Sequence, residues 1–122
     1  MKASILIAAL AGLCISSAAC AAGDAAAGKT VFSKCAICHS TAPGKTRLGP
    51  SLLGVVGRHS ASVPGNNYSP AMKAANKAWD EATLNTYLTD PKALAPGAKM
   101  RFQGLPKAED RANVIAHIAT LK

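Results

Sequence analysis

A chain of 122 residues, 49% apolar and 16% charged, has the balance of one globular domain, which excludes a multi-domain assembly and a disordered tract. Fourteen Lys and Arg against six Asp and Glu give a net charge of +8, so acidic surfaces are the favoured partners. Phe32, Tyr68, Trp79, Tyr87 and Phe102 are the whole aromatic inventory, few enough that something other than side chains is expected in the core.

The chain opens with Met1-Lys2, an uncharged apolar run from Ser4 to Leu13, and a small-residue tail, Ser16 to Ala21, ending in A-x-A. This is the pattern of a secretory signal peptide. The run falls short of the roughly 20 residues that cross a hydrocarbon core. Neither Cys14 nor Cys20 has the leucine three residues earlier that a lipoprotein signal prefers. Cleavage after Ala21 or Ala22 is expected, with residues 1–22 as leader and 23–122 as the exported domain. Cys14 and Cys20 leave with the leader, so Cys35 and Cys38 are the thiols that remain. A mature chain this short has a marginal core by surface scaling and calls for a covalent or metal staple.

Asp24 is placed to cap a first helix running to Lys34, with Val31 and Phe32 on its apolar side. At its end stands Cys35-Ala36-Ile37-Cys38-His39, the C-x-x-C-H form of c-type haem attachment. Two thiols at this spacing reach the two vinyl groups of one porphyrin as thioethers, and the following imidazole, His39, lies under the iron. Zinc would need two more ligands, and His59 and His117 are widely separated. A thioredoxin-like pair would follow a strand in a βαβ pattern that is absent. Export also keeps a plain disulfide in view.

From His39 to Asn67 the chain is rich in Gly and Pro and without period, which in so small a domain argues for wrapping something. Ser69-Pro70 then reads as a cap with proline at the first helical position, opening a short helix to Ala75 that Asn76 closes. Asp80 to Thr89 forms a third helix, with Leu84, Tyr87 and Leu88 on one face and Pro91 as its stop. Lys92 to Pro106 reads as irregular. Lys107 to Leu121 forms a fourth helix with Val114, Ile118 and Leu121 in one stripe. No run alternates as a strand would. Met72, inside a short helix, reads as core filler, whereas Met100, in the turn-forming Pro96-Gly97-Ala98-Lys99-Met100, suits a sixth iron ligand. His/Met ligation leaves no open position and narrows function to one-electron transfer.

Gly28 and Phe32 precede the haem motif; Leu48-Gly49-Pro50, Gly54-x-x-Gly57-Arg58, Pro64-Gly65 and Tyr68 follow it. Then come Trp79, Thr83-Leu84, Tyr87-Leu88, Pro91-Lys92, Pro96-Gly97-x-Lys99-Met100-x-Phe102 and Arg111. In this order the motifs cover nearly all of residues 23–122, and the chain resembles class I cytochrome c, close to the mitochondrial and bacterial c2 type. The resemblance implies an all-α cytochrome c fold of about four helices and long loops around one covalent haem c, held through Cys35 and Cys38. It implies His39 and Met100 as ligands to an iron that alternates between Fe(II) and Fe(III). The Pro50 carbonyl would accept from His39 Nδ1. Arg58, Tyr68 and Trp79 would hold a buried propionate, Tyr87 would hydrogen-bond near the Met100 sulfur, and Phe102 would shield the exposed haem edge. Gly28 and Phe32 would pack against the last helix around Val114 and Ile118.

The chain departs from that pattern at Ala98 and Met72, where the family often has a hydroxyl and an asparagine, so the polar network around the Met ligand is expected to be reduced. An aromatic is usual at His117, and both His117 and His59 read as packing or surface residues.

Lys34, Lys45, Lys92 and Lys99, with Arg47 and Lys107, match or neighbour family positions around the haem edge and would steer the protein onto acidic docking faces of membrane or periplasmic redox proteins. Export and the lack of aromatic interleaving disfavour nucleic acid. The expected protein is a periplasmic, soluble, monomeric electron carrier and not an enzyme. It would have no stable membrane insertion and would work between partners such as a bc1 complex or dehydrogenase and a terminal oxidase or reaction centre. The alternative is a haem peroxidase or gas-binding cytochrome with a labile sixth ligand. Service to a single dehydrogenase is a third reading.

Overall fold

The computed structural model describes residues 23–122; the leader expected over residues 1–22, with Cys14 and Cys20, lies outside them. The described residues form five helices: α1 (Ala25–Ala36), α2 (Pro70–Ala75), α3 (Glu81–Thr89), α4 (Pro91–Leu94) and α5 (Ala108–Ile118). They contain no strand, only an isolated antiparallel bridge between His59 and Ala78.

Local chemistry sets the helix ends. Asp24 accepts from the backbone N–H groups of Ala26 and Ala27, and Asp80 from that of Thr83 at 2.7 Å. Ser69 Oγ accepts from Met72 N at 3.2 Å ahead of Pro70. Each satisfies donors that a helix start leaves unpaired, an effect of about 1 kcal/mol where the cap is buried as Ser69 is. Asn76 ends α2 in the left-handed region at φ 48°. The segment expected to be irregular after Pro91 holds one extra element. Pro91 ends α3 and, because its missing N–H costs nothing at a first helical position, also opens α4, capped by Asp90 through Lys92 N at 3.2 Å.

Helices α1 and α5 cross closely. A Cβ on Gly28 would overlap the Asn113 carbonyl, so the crossing requires glycine there. Phe32 stacks on the His117 ring, with centroids 4.9 Å apart and planes at 56°, and Asn113 Oδ1 accepts from Asp24 N at 2.8 Å. His117 therefore packs at the junction, as a smaller stand-in for the expected aromatic. Val114 and Ile118 are buried with Leu84, Leu88 and Leu105.

The long segments are pinned rather than free. Gly54 N donates to Leu121 O at 2.7 Å, Gly57 N to Trp79 O at 2.8 Å, and Ser60 N to Lys77 O at 2.7 Å. Arg111 fixes the run before α5 by donating to Leu105 O, Pro106 O and Asn85 Oδ1. Among the described residues no helix is long and apolar enough to cross a membrane.

Candidate haem site

The loops and helices enclose a largely apolar cavity of about 450 Å³, within the range of cofactor sites. Leu52, Val55, Leu84, Leu88, Val114 and Ile118 give its dry walls, while Cys35, Cys38, His39 and Met100 bring it chemistry. The spacing of the C-x-x-C-H motif becomes geometry at the end of α1. Both Cys38 N and His39 N donate to Cys35 O, at 3.1 and 3.0 Å, and the resulting turn puts both thiols and the imidazole on the cavity. Burial pushes the Cys35 thiol up, with Lys34 opposing and Cys38 adding to the shift, which keeps it a neutral thiol near pH 7. Cys35 and Cys38 form no disulfide with each other. Among the described residues no group of three or more His, Cys, Asp or Glu side chains is arranged to hold a bare metal ion.

His39 Nδ1 lies 2.7 Å from Pro50 O. A carbonyl can only accept, so Nδ1 carries the proton and Nε2 keeps its lone pair for a metal. Gly49 completes this mount. Its N–H donates to Cys38 O at 3.0 Å, and a Cβ there would run into the His39 ring.

Met100 is held on another wall. The Tyr87 hydroxyl donates to Met100 Sδ at 3.4 Å, and the Tyr87 ring packs on Trp79 with centroids 4.9 Å apart. Burial pushes the Tyr87 phenol up to about 12, so it remains a donor throughout the physiological range. Ala98 and the buried Met72 also supply apolar surface to the cavity. Met72 thus belongs to the core, as expected, but also faces the site.

Arg58 provides the sharpest test of what fills the cavity. Its Nη1 donates to Ser51 O at 3.0 Å and to Leu53 O at 3.2 Å, yet its Nε is buried without any partner. Burial pushes its guanidinium down. A buried cationic donor left unpaired costs free energy, and an anion on the cavity side removes that cost. Tyr68 accepts from Val63 N at 3.1 Å, which leaves its own hydroxyl hydrogen to donate, and Trp79 lines the same cavity. Two thiols, an imidazole with a free nitrogen, a thioether, apolar walls and an anion-seeking guanidinium fit haem c.

The model of the cytochrome c family matches residues 25–122. The chain belongs to the cytochrome c family. Cytochrome c2 of Rhodomicrobium vannielii is 51% identical over 111 residues, covering 90% of this chain and 89% of that one. Cytochrome c2 of Rhodoblastus acidophilus is 47% identical over 102 residues, covering 83% and 95%. Cytochrome cH from Methylobacterium extorquens superposes with a TM-score of 0.76 at 39% identity, over 80% of this chain and 99% of that chain. The protein is thus of the class I, c2-like type, an electron carrier with a covalently attached haem c.

The residues expected to dock partners are less concentrated in this cytochrome c than those expected to hold the haem. Lys34 and Lys99 line the main cavity, and Lys99 Nζ donates to Asn67 O at 3.0 Å. Lys92 lines a second, smaller cavity, and Lys45 is exposed and lines neither. Arg47 donates to Ala36 O at 2.9 Å, tying its loop to the haem motif. His59 bonds Ser60 O and Asn76 Oδ1 at 2.9 and 2.8 Å, a loop clasp. Sequence reasoning passed over the carbonyls of Ser51 and Leu53, since any residue offers a carbonyl. It also passed over Arg101, whose place between Met100 and Phe102 was the available signal.

Proposed function

We propose that this cytochrome c is an exported periplasmic shuttle, not an enzyme, carrying single electrons between membrane or periplasmic redox proteins. The observation that carries this reading is the pair of mounted ligands. His39 is fixed by Pro50 and Met100 is held by Tyr87, both on one dry cavity beside Cys35 and Cys38. Cys35 and Cys38 would hold the haem as thioethers, and His39 and Met100 would ligate its iron. Haem c supplies the one-electron change between Fe(II) and Fe(III).

The chain's own residues do the rest. His39 and Met100, each held by a hydrogen bond, would resist rearrangement when the iron changes oxidation state, so that little reorganisation opposes transfer. The apolar walls exclude water, Arg58 and Tyr68 would offset a carboxylate of the haem, and Phe102 would shield the haem from solvent. Residues 1–22 direct export and are removed. Partners of the c2 class, such as a bc1 complex and a reaction centre or terminal oxidase, present acidic faces to the lysines.

The hydrogen bond from Tyr87 to Met100 Sδ favours a held thioether over a labile one, and hence a carrier over a peroxidase or gas sensor. Two measurements decide. The oxidised protein shows the near-infrared charge-transfer band of a thioether-ligated ferric haem at neutral pH, and its absence overturns the closed site. Electron exchange with native membranes slows as salt rises, and a salt-independent rate overturns docking by the lysines.

A further inference from the structure

A second cavity, of about 220 Å³, lies beyond the segment that carries Met100. Lys92, Ala98, Met100, Arg101, Phe102 and Gln103 line it. Ala98, Met100, Arg101 and Phe102 face both cavities, so this stretch is the partition between them. None of Cys35, Cys38, His39 or Arg58 reaches the smaller one, which is therefore no extension of the thiol end of the haem site. It is open to solvent and has about half the volume of its neighbour, room for one side chain rather than a cofactor.

Its polar lining is of one kind. Lys92 and Arg101 bring two cations and Gln103 an amide, with no acid among them. Asp90, the nearest acid in sequence, is already committed to capping α4 through Lys92 N. Among the described residues the head groups of Lys92 and Arg101 make no hydrogen bond or ion pair, and both are exposed. A half-open pocket with two uncompensated cations, one of them a planar fork, suits a carboxylate.

We infer that this cavity seats the carboxylate of an acidic side chain from a redox partner protein, with Arg101 as its bidentate anchor and Lys92 and Gln103 as supporting donors. The inference rests on the carrier reading above and deepens it, because the anchored carboxylate would lie against the segment holding Met100 and Phe102. The lysines act mainly as point charges that steer approach. Arg101 adds orientation, since two parallel N–H groups accept a carboxylate in one plane only.

The test separates charge from fork. The haem-loaded protein is titrated with the blocked peptide acetyl-Glu-Glu-Glu-Glu-amide at low salt, following the Nε–H of Arg101 and the side-chain amide of Gln103 by NMR. Both signals shift saturably. Arg101→Lys, which keeps the charge, weakens binding roughly tenfold, as expected for loss of a charge-assisted bidentate contact. Lys34→Gln, which removes a charge elsewhere, weakens it less. Equal affinity in Arg101→Lys and the natural protein overturns the anchor, as do shifts spread evenly over all cations. Inorganic phosphate binding there more tightly than the peptide overturns a protein carboxylate as the occupant. No redox partner enters this titration, so its failure is distinct from failure of the carrier reading, which falls if exchange with membranes is independent of salt.

Discussion

Ala61 stands in the left-handed region at φ 53°, where its Cβ crowds the backbone at a cost of about 1–2 kcal/mol. Ala61→Gly removes that strain but loosens the unfolded chain by about 0.4–1 kcal/mol. The net expectation is a gain of roughly 0.5–1 kcal/mol, read as a higher urea midpoint with an unchanged slope. Tyr87→Phe tests the other kind of residue-level effect. It keeps the packing on Trp79 and deletes the hydroxyl that donates to Met100 Sδ at 3.4 Å. Stability falls by about 0.5–1.5 kcal/mol. The near-infrared band is lost at lower pH than in the natural protein, because the thioether is held less firmly. At this scale the sequence was most legible where chemistry needs a rare residue type at a fixed spacing, as in Cys35, Cys38 and His39. It was least legible where a main-chain atom does the work. Pro50 was named only through a family likeness, and the carbonyls that hold Arg58 left no mark in the sequence.

At the level of elements, the caps made the helix ends readable. Asp24 and Ser69 stand where their side chains were expected to act, while Asp80, expected as the first residue of its helix, instead caps it from outside. Helix α4 escaped because one residue, Pro91, carries two opposed signals, the end of one helix and the first position of the next. The cap at Asp80 gives a pH prediction. Its hydrogen bonds from Thr83, the backbone one foremost, hold its carboxyl below the usual carboxylate range. The folded value therefore lies below the unfolded one. The stabilisation is complete above the unfolded value, about pH 4, and is lost as pH falls through the folded value. Asp80→Asn retains a capping oxygen without the titration, so its stability should vary less with pH between about 5 and 2 than that of the natural protein. A curve parallel to the natural one over that window would remove Asp80 from the acid response. The α1–α5 crossing yields a larger effect. Gly28→Ala must push the helices apart to clear the Asn113 carbonyl, and overpacking of this kind costs typically 1–3 kcal/mol, read as a lower urea midpoint.

For the whole molecule, the position of charge matters more than its sum. No Asp or Glu occurs between Asp24 and Asp80, while Lys29, Lys34, Lys45, Arg47, Arg58, Lys73 and Lys77 fall in that span. The acids sit at helix starts, at Asp24, Asp80, Glu81, Asp90, Glu109 and Asp110, where the helix dipole favours them. Local helix chemistry thus sorts the acids away from the loops that frame the cavities, and the excess of basic residues in those loops is a consequence. If docking depends on where those cations stand, equal charge changes at different places should differ. Lys34 and Lys92 line the two cavities, whereas Lys73 and Lys77 line neither. The double variant Lys34→Gln/Lys92→Gln should slow association with native membranes several-fold at low salt, and Lys73→Gln/Lys77→Gln should slow it less, although both lose the same charge. Raising the ionic strength shortens the Debye length from about 30 Å at 0.01 M to about 8 Å at 0.15 M, so the two variants and the natural protein should converge. Identical slowing by the two pairs would mean that net charge alone attracts the partner and that the rims of the cavities have no special part in docking.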